Sequence, residues 1–339
     1  MKVLILGGDG FIGSYMRKKH LSVGDKVSIL DKADLRSNIN DDSYVFYHNY
    51  VENGDFKYLD EVLLEEKPDF VYNCIAVATP HYYVLNPIET FELDFRINHE
   101  IIKRLMALEI PFMHFSTSEV YGKIWSEPYS EDSSNMVLGP VNKIRWIYAT
   151  SKILLDQLLF AYKADCVVVR PFNFIAHDMD WLPDIDNNTD NTWKPRMPAC
   201  FLNNLLSGKP LCVVNPGTQK RCYTFIDDAV EAMYAIVQNW SKCSGEILNI
   251  GVPENEITIY DAAHIMIDFY EEITHKEHPG MEAVNGEDFY GIGYDDSERR
   301  LPNISKIRSL TGWEPKCDLE TTFRNTVFDA VNKFSETGN

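Results

Sequence analysis

Apolar positions in this chain fall into two kinds of run that take turns along it. Lys2-Val-Leu-Ile-Leu6 is short, nearly continuous and closed by glycines, which predicts a strand buried on both faces. A helix follows from about Phe11 toward His20, then a second strand from Lys26 to Leu30 that ends at Asp31. Further strand-like runs fall at Tyr44 to Tyr47, Phe70 to Asn73, Phe112 to Phe115 and Val167 to Arg170, with amphipathic stretches between them. Such alternation predicts an α/β fold: a doubly wound parallel sheet with helices on both faces. One helix is placed by Asn86 as its cap, Pro87 in its first turn and an apolar stripe through Phe91, Phe95, Ile102 and Leu105. Another spans about Asn142 to Tyr162.

After Arg170 the alternation loosens, with prolines at 171, 183, 195 and 198 and an Asp/Asn-rich stretch from Asp178 to Asn191. A helix over Asp227 to Gln238 and a strand over Glu246 to Ile250 then return the chain to the sheet. Two interleaved units are expected: residues 1–171 with 224–251 as the sheet domain, and 172–223 with 252–339 as a smaller C-terminal substrate lobe. The 339 residues carry 51 acidic and 32 basic side chains, a net −19 that repels nucleic acid and anionic membranes, so any anionic ligand must be held by local arginines. Seven scattered cysteines, never two residues apart, are expected to be reduced thiols. With no signal-like or membrane-spanning apolar run, this points to a cytoplasmic protein.

Between the first strand and helix, Gly7, Gly10 and Gly13 form Gly-x-x-Gly-x-x-Gly around Phe11 and Ile12. That order of strand, tight turn and helix N-terminus is what a dinucleotide pyrophosphate requires. Asp31, at the end of the second strand, can accept from both ribose hydroxyls and disfavours a 2′-phosphate, so NAD is expected over NADP despite Lys32 and Arg36 nearby. Metal is not expected. Asp184, Asp186, Asn188 and Asp190 mimic a calcium loop, but Thr189 stands where glycine is needed and Pro195 where glutamate is. His275 and His278 are expected at the surface, and Trp313 as packing for the last helix.

Tyr148 and Lys152 lie four residues apart, on one face of their predicted helix. Oxidation of an alcohol needs a proton acceptor, and a phenol becomes one when a cation stabilises the phenolate. The strand ending at Phe115 runs into Ser116-Thr117-Ser118-Glu119, which places hydroxyls and a carboxylate at the ligand-binding end of the sheet.

Longer phrases carry a family resemblance. They are Ala76-Val-Ala-Thr-Pro80, Asn86-Pro87, Phe91-Glu-Leu-Asp-Phe95, Ser116 to Gly122, Gly139 to Lys143 with Arg145-Trp-Ile-Tyr148, Arg170-Pro-Phe-Asn173, Gln219 to Cys222, Asn249 to Gly251, and Gly293-Tyr-Asp-Asp296 with Arg299-Arg300. Through them the chain resembles, nearly end to end, the extended short-chain dehydrogenase/reductases that modify nucleotide sugars. It is most similar to the UDP-glucuronate decarboxylases, including the decarboxylase domain of the bifunctional polymyxin-resistance enzyme. The resemblance implies a Rossmann fold, bound NAD, a UDP-sugar substrate and a homodimer. It gives Thr117, Tyr148 and Lys152 to oxidation at C4, and Glu119 and Arg300 to C5 and the departing carboxylate. Ala76 joins the cofactor residues, and Tyr83, Arg145, Asn173, Arg196, Arg221 and Arg300 the substrate residues.

Ser118 separates the reactions within that group. The 4,6-dehydratases usually carry an aspartate here to protonate a departing hydroxyl, and an aspartate would repel a substrate with a C6 carboxylate. Serine therefore argues for decarboxylation over dehydration, and Glu119 with Arg300 argues against simple 4-epimerisation. A non-catalytic NAD-binding sensor has no need of Tyr148, Lys152, Glu119 and Arg300 together. Two departures from the resemblance, Ala176-His177-Asp178 in place of Gly-Pro-Arg and Leu85 in place of an arginine, are expected near the sugar and leave the particular uronate open.

Overall fold

The computed structural model describes residues 1–32, 43–48, 54–123, 128–182 and 194–336. Seven parallel strands form one sheet: β1 (Lys2–Leu6), β2 (Lys26–Asp31), β3 (Val45–His48), β4 (Phe70–Asn73), β5 (Phe112–Phe115), β6 (Cys166–Pro171) and, after four short strands elsewhere, β11 (Ile247–Ile250). Their order across the sheet is β11-β6-β5-β4-β1-β2-β3. The chain starts at the centre and works outward in both directions, so the order reverses beside β1, the topological switch point where such sheets bind ligands.

Strand periodicity splits the core cleanly. Val3, Ile5, Val27, Ile29, Phe70, Tyr72, Met113 and Phe115 face one apolar cluster, whereas Leu4, Leu6, Leu30, Val71 and Phe112 face the other. Each strand is apolar on successive residues because each face has its own layer of helices to cover. Helices α1 (Phe11–Ser22) and α2 (Lys57–Glu66) follow β1 and β3.

Between β4 and β5 the helix is more broken than the sequence pattern predicts. A short α3 (Pro80–Leu85) comes first, then α4 (Pro87–Phe91), a π-helical turn (Glu92–Ile97) and α5 (Asn98–Ala107). Asn86 precedes Pro87 as expected, but its side chain makes no capping bond; its carbonyl instead accepts from the Thr90 amide at 3.0 Å. The π turn adds a residue per turn and rotates the buried stripe. Leu93, Asp94, Ile97 and Asn98 are buried, while the expected stripe residues Phe91 and Phe95 are only half-buried and stack on each other at 5.5 Å. The helix expected from Asn142 begins as a 3₁₀ turn at Ile144 and becomes α6 at Ile147–Tyr162.

After β6 the chain leaves the sheet. Strand β7 (Phe174–Ile175) pairs with β10 (Thr224–Phe225), β8 (Leu211–Val214) with β13 (Met281–Val284), and β9 (Lys220–Cys222) with both β12 (Glu256–Thr258) and β14 (Arg299–Arg300). The second and third of these small sheets join segments from either side of β11. The register Arg221–Arg300 in the β9–β14 pair brings two arginines 79 positions apart side by side.

Trp313 is buried in the core that also holds Phe323 and Val327 of the last helix, as expected. His275 is exposed, but His278 is half-buried against the Tyr270 ring at 5.9 Å, a correction to its surface reading. The mimic of a calcium loop at Asp184 to Asp190, and Arg36, lie outside the described residues. Among the described residues no group of three or more His, Cys, Asp or Glu could hold a metal, and no helix is long and apolar enough to cross a membrane. All seven cysteines are free thiols.

Candidate active site

At the carboxyl end of β1, Gly7 takes a φ of +73°, a conformation that disfavours any side chain, and its amide donates to Leu30 at 2.8 Å. A Cβ on Gly13 would lie 2.5 Å from the Gly7 carbonyl oxygen, and one on Gly8 would lie 2.5 Å from Ile29 Cβ. The glycines therefore pack helix against strand and leave bare backbone at the start of α1, whose first turn holds no acidic side chain. Asp31 ends β2 and is fixed by the amides of Asp9 at 2.9 Å and Lys32 at 2.7 Å. Gly7, Gly10, Phe11, Ile12, Gly13, Asp31 and Ala76 all line one cavity of about 550 Å³. An anion-receiving helix end with a carboxylate one strand over fits a dinucleotide's pyrophosphate and ribose.

The same cavity continues past β5. Thr117, Ser118, Glu119, Tyr148, Tyr83, Asn173, Arg196 and Arg300 line its far part. Thr117 Oγ1 accepts from the Glu119 amide at 3.2 Å and so opens the 3₁₀ turn Ser118–Tyr121, which presents Ser118 and Glu119 at the sheet edge. That turn rests on a buried network: Arg170 donates to Asp156 at 2.9 Å and to the Tyr121 hydroxyl at 3.0 Å, and Ser116 donates to Asp156 at 2.9 Å. Tyr148 is buried and stacked flat on Tyr83 at 4.7 Å. Burial pushes its phenol well above the ordinary value, Asp94 and Glu119 push it further, and the Thr117 hydroxyl and Arg196 oppose them. Lys152 lies behind the phenol, Nζ 5.9 Å from the ring centre, and does not line the cavity.

Beyond Glu119 lies a buried cluster of five charges. Glu119 Oε1 accepts from Arg145 at 3.0 Å and Arg300 at 3.3 Å. Asp296 meets Arg300 at 2.7 Å, Arg221 at 2.8 Å and Arg145 at 3.4 Å. Although burial alone would raise it, Arg221, Arg145 and Arg300 hold the Asp296 carboxyl well below the usual carboxylate range. Three guanidiniums against two carboxylates leave one positive charge in excess. Arg145 is 1% exposed, and its Nε and Nη1 have no hydrogen-bond partner among the described residues; the same holds for Glu119 Oε2. Arg145 and Arg221 line an adjoining cavity of about 150 Å³ that shares Tyr83, Glu119 and Arg300 with the first.

Two predicted substrate residues have partners of their own. Arg196 is locked to Asp180 by bonds of 2.7 and 3.0 Å, which neutralises its charge. Asn173 donates to the Cys222 carbonyl at 3.0 Å. Neither of the two departures from the resemblance lines either cavity. Asp178 accepts from the Tyr15 hydroxyl at 2.9 Å and is not among the lining residues of the cavity, and Leu85 is 54% exposed.

Asp94 and Asp296 lie within the phrases that carry the resemblance, which gives neither a role. Asp94 carried no local signal, because Glu92 and Arg96 flank it and nothing in the pattern sets it apart from them. Asp296 carried none, because its three arginine partners come from three separate parts of the chain.

Comparison with known proteins agrees with this arrangement. Residues 3–251 match the NAD dependent epimerase/dehydratase family. Among solved structures, the chain is similar to the PbgP3 protein from Burkholderia pseudomallei, at 28% identity and a TM-score of 0.84, over 99% of this chain and 97% of that one. Two others share the fold at lower identity. The dTDP-glucose 4,6-dehydratase from Bacillus anthracis, in complex with NAD, is 20% identical with a TM-score of 0.77, over 99% and 98% of the two chains. The UDP-glucuronic acid 4-epimerase from Bacillus cereus, in complex with a fluorinated UDP-glucuronic acid and NAD, is 23% identical with a TM-score of 0.76, over 98% and 99%. With close to three quarters of its length matched, this chain belongs to the NAD dependent epimerase/dehydratase family, the extended short-chain dehydrogenase/reductases, and its cofactor is NAD.

Proposed function

We propose that this protein decarboxylates UDP-glucuronate, or a close uronate, after oxidation at C4. The observation that carries the reading is the buried excess of guanidinium over carboxylate around Glu119 and Arg300, at the end of the cavity beyond Tyr148. An unneutralised buried cation is costly without an anionic ligand, and forked donors suit a carboxylate. A neutral hexose would leave that charge unmet. Ser118 supports the same reading, since it puts no competing negative charge on that face.

In this reading Gly7, Gly10, Phe11, Ile12, Gly13, Asp31 and Ala76, with Tyr148, would hold NAD, which supplies the acceptor for the C4 hydride, and Lys152 acts on Tyr148 from behind. Tyr148 takes the C4 hydroxyl proton while Thr117 holds that oxygen. The resulting 4-keto uronate is a β-keto acid, and it loses CO₂ because the carbanion left at C5 is delocalised into the ketone. Arg300 and Arg145 hold the carboxylate, and Glu119 with Arg300 arranges protonation at C5. Tyr83, Asn173, Arg196 and Arg221 hold the rest of the UDP-sugar, with residues 172–223 and 252–339 as its lobe. A homodimer fits exposed Ile88, Leu154 and Phe160 on α4 and α6.

Purified protein is incubated with NAD⁺ and UDP-glucuronate while NADH absorbance is followed and the sugar nucleotide is identified by mass and NMR. Loss of CO₂ with NADH accumulation identifies a UDP-4-keto-pentose product; loss without accumulation identifies UDP-xylose. An unchanged carbon count, with water lost or C4 inverted, would replace the reading by dehydration or epimerisation.

A further inference from the structure

After β7 the chain runs along the cofactor cavity. Met179, Asp180 and Trp181 form part of its wall, and Asp180 and Trp181 belong to this cavity and not to the adjoining one. Two ties hold that stretch. The first is Arg196, whose amide donates to Asp180 Oδ2 at 2.8 Å and whose Nη2 donates to the Met179 carbonyl at 2.8 Å. Its guanidinium carbon lies 5.9 Å from the centre of the Phe11 ring, at the start of α1, the helix end that suits a pyrophosphate. The second tie comes from α1 itself. Tyr15 stands one turn after Phe11, packs edge-on against that ring at 5.6 Å, and has Lys18 Nζ 4.6 Å from its own ring centre. Its hydroxyl, so aimed, donates to Asp178 Oδ1 at 2.9 Å. Asp178 does not line the cavity, yet the three residues that follow it do. A bond that fixes the residue just before a cavity wall acts through that wall. Asp178 is also a departure from the resemblance, so this tie is the chain's own and not part of the shared pattern.

We propose that Tyr15 and Asp178 are positioning residues for the cofactor: their hydrogen bond ties residues 178–181 to α1, keeps Met179, Asp180 and Trp181 in place as the cofactor's wall, and slows the departure of the dinucleotide. The inference rests on the cofactor cavity, and on neither the sugar nor the reaction at it. A dinucleotide held between the glycine turn and this wall leaves only when one of them yields. The glycine turn is built into the sheet, whereas the wall depends on the ties at Asp178 and Arg196.

The test loads the whole protein with NADH, dilutes it into a large excess of NAD⁺ and follows the loss of bound-NADH fluorescence, which gives the cofactor's dissociation rate with no sugar present. Tyr15→Phe keeps the ring and removes the donor; it is expected to speed dissociation about tenfold, the change set by losing one hydrogen bond to a charged acceptor. Asp178→Ala is expected to do the same, and the double variant no more than either alone, because both delete one bond. Asp178→Asn, whose side-chain carbonyl still accepts from Tyr15, should stay within about twofold of the parent. Thermal unfolding is measured on each variant. A dissociation rate in Tyr15→Phe within about threefold of the parent overturns the proposal, whatever the unfolding temperature does, since the bond would then serve the fold alone. Additive effects in the double variant also overturn it, because the two residues would then act separately. If Asp178→Ala does not fold, Asp178→Ser, too short to reach the phenol, is read the same way. Because the exchange needs no substrate, a faster release in a protein that does not decarboxylate would leave this tie in place and remove the decarboxylase reading instead.

Discussion

Replacing Arg300 by methionine keeps most of the side chain's apolar length and deletes one positive charge from the buried cluster. Glu119 keeps Arg145 at 3.0 Å, and Asp296 keeps Arg221 at 2.8 Å and Arg145 at 3.4 Å, so neither carboxylate is orphaned. Stability should therefore fall by about 1–3 kcal/mol, the range for lost charged hydrogen bonds, and not by the larger amount expected for an abandoned buried ion. The cluster's net charge goes from plus one to zero. For a substrate carboxylate about 6 Å from the lost charge in an effective dielectric of about 20, the lost attraction is about 3 kcal/mol, or roughly two orders of magnitude in kcat/KM. The assay is initial-rate loss of CO₂ from UDP-glucuronate, with NAD affinity by calorimetry and thermal unfolding alongside. NAD affinity should hold, because Arg300 lines the far part of the cavity and not the glycine turn. Arg300→Lys should recover part of the rate, since charge returns without the fork. A kcat/KM for Arg300→Met within threefold of the parent would refute the reasoning, because it would mean that the excess charge is not matched to the substrate.

Tyr148→Phe should lower kcat by about 10²–10⁴ with NAD affinity retained, checked by the same rate assay and calorimetry; retained turnover would take Tyr148 out of the mechanism. Gly13→Ala should abolish NAD binding in calorimetry, because its Cβ would lie 2.5 Å from the Gly7 carbonyl oxygen, where neither helix nor strand can yield. Asp31→Ala should narrow the preference for NAD over NADP at least tenfold in paired affinity measurements, since the charge facing a 2′-phosphate is gone. Arg170→Met strips Asp156 of its guanidinium inside the core; unfolding by denaturant should show a loss of about 3–5 kcal/mol, and an unchanged midpoint would mean that the 3₁₀ turn at Ser118 does not rest on this pair.

Local order was legible in the sequence because it depends on neighbours in the chain. The apolar runs at Lys2–Leu6 and Phe112–Phe115 had to be strands covered on both faces, and glycines at 7, 10 and 13 between a strand and a helix had to make a turn that admits a dinucleotide. Tyr148 and Lys152 share a helical face by spacing alone. What distance in sequence conceals, only the tertiary structure decided. The π turn rotated the buried stripe of its helix from Phe91 and Phe95 to Asp94 and Asn98, because one extra backbone residue changes which side chains face inward. Arg145 and Arg221 reach Asp296 and Arg300 only because the 3₁₀ turn before α6, β9 and β14 meet there, and Asp178 and Leu85 were carried away from the cavity for the same reason. Residue types and spacing fix which chemistry a chain can perform. The balance of buried charge, which decides what the site will accept, is a property of packing and has no local signature.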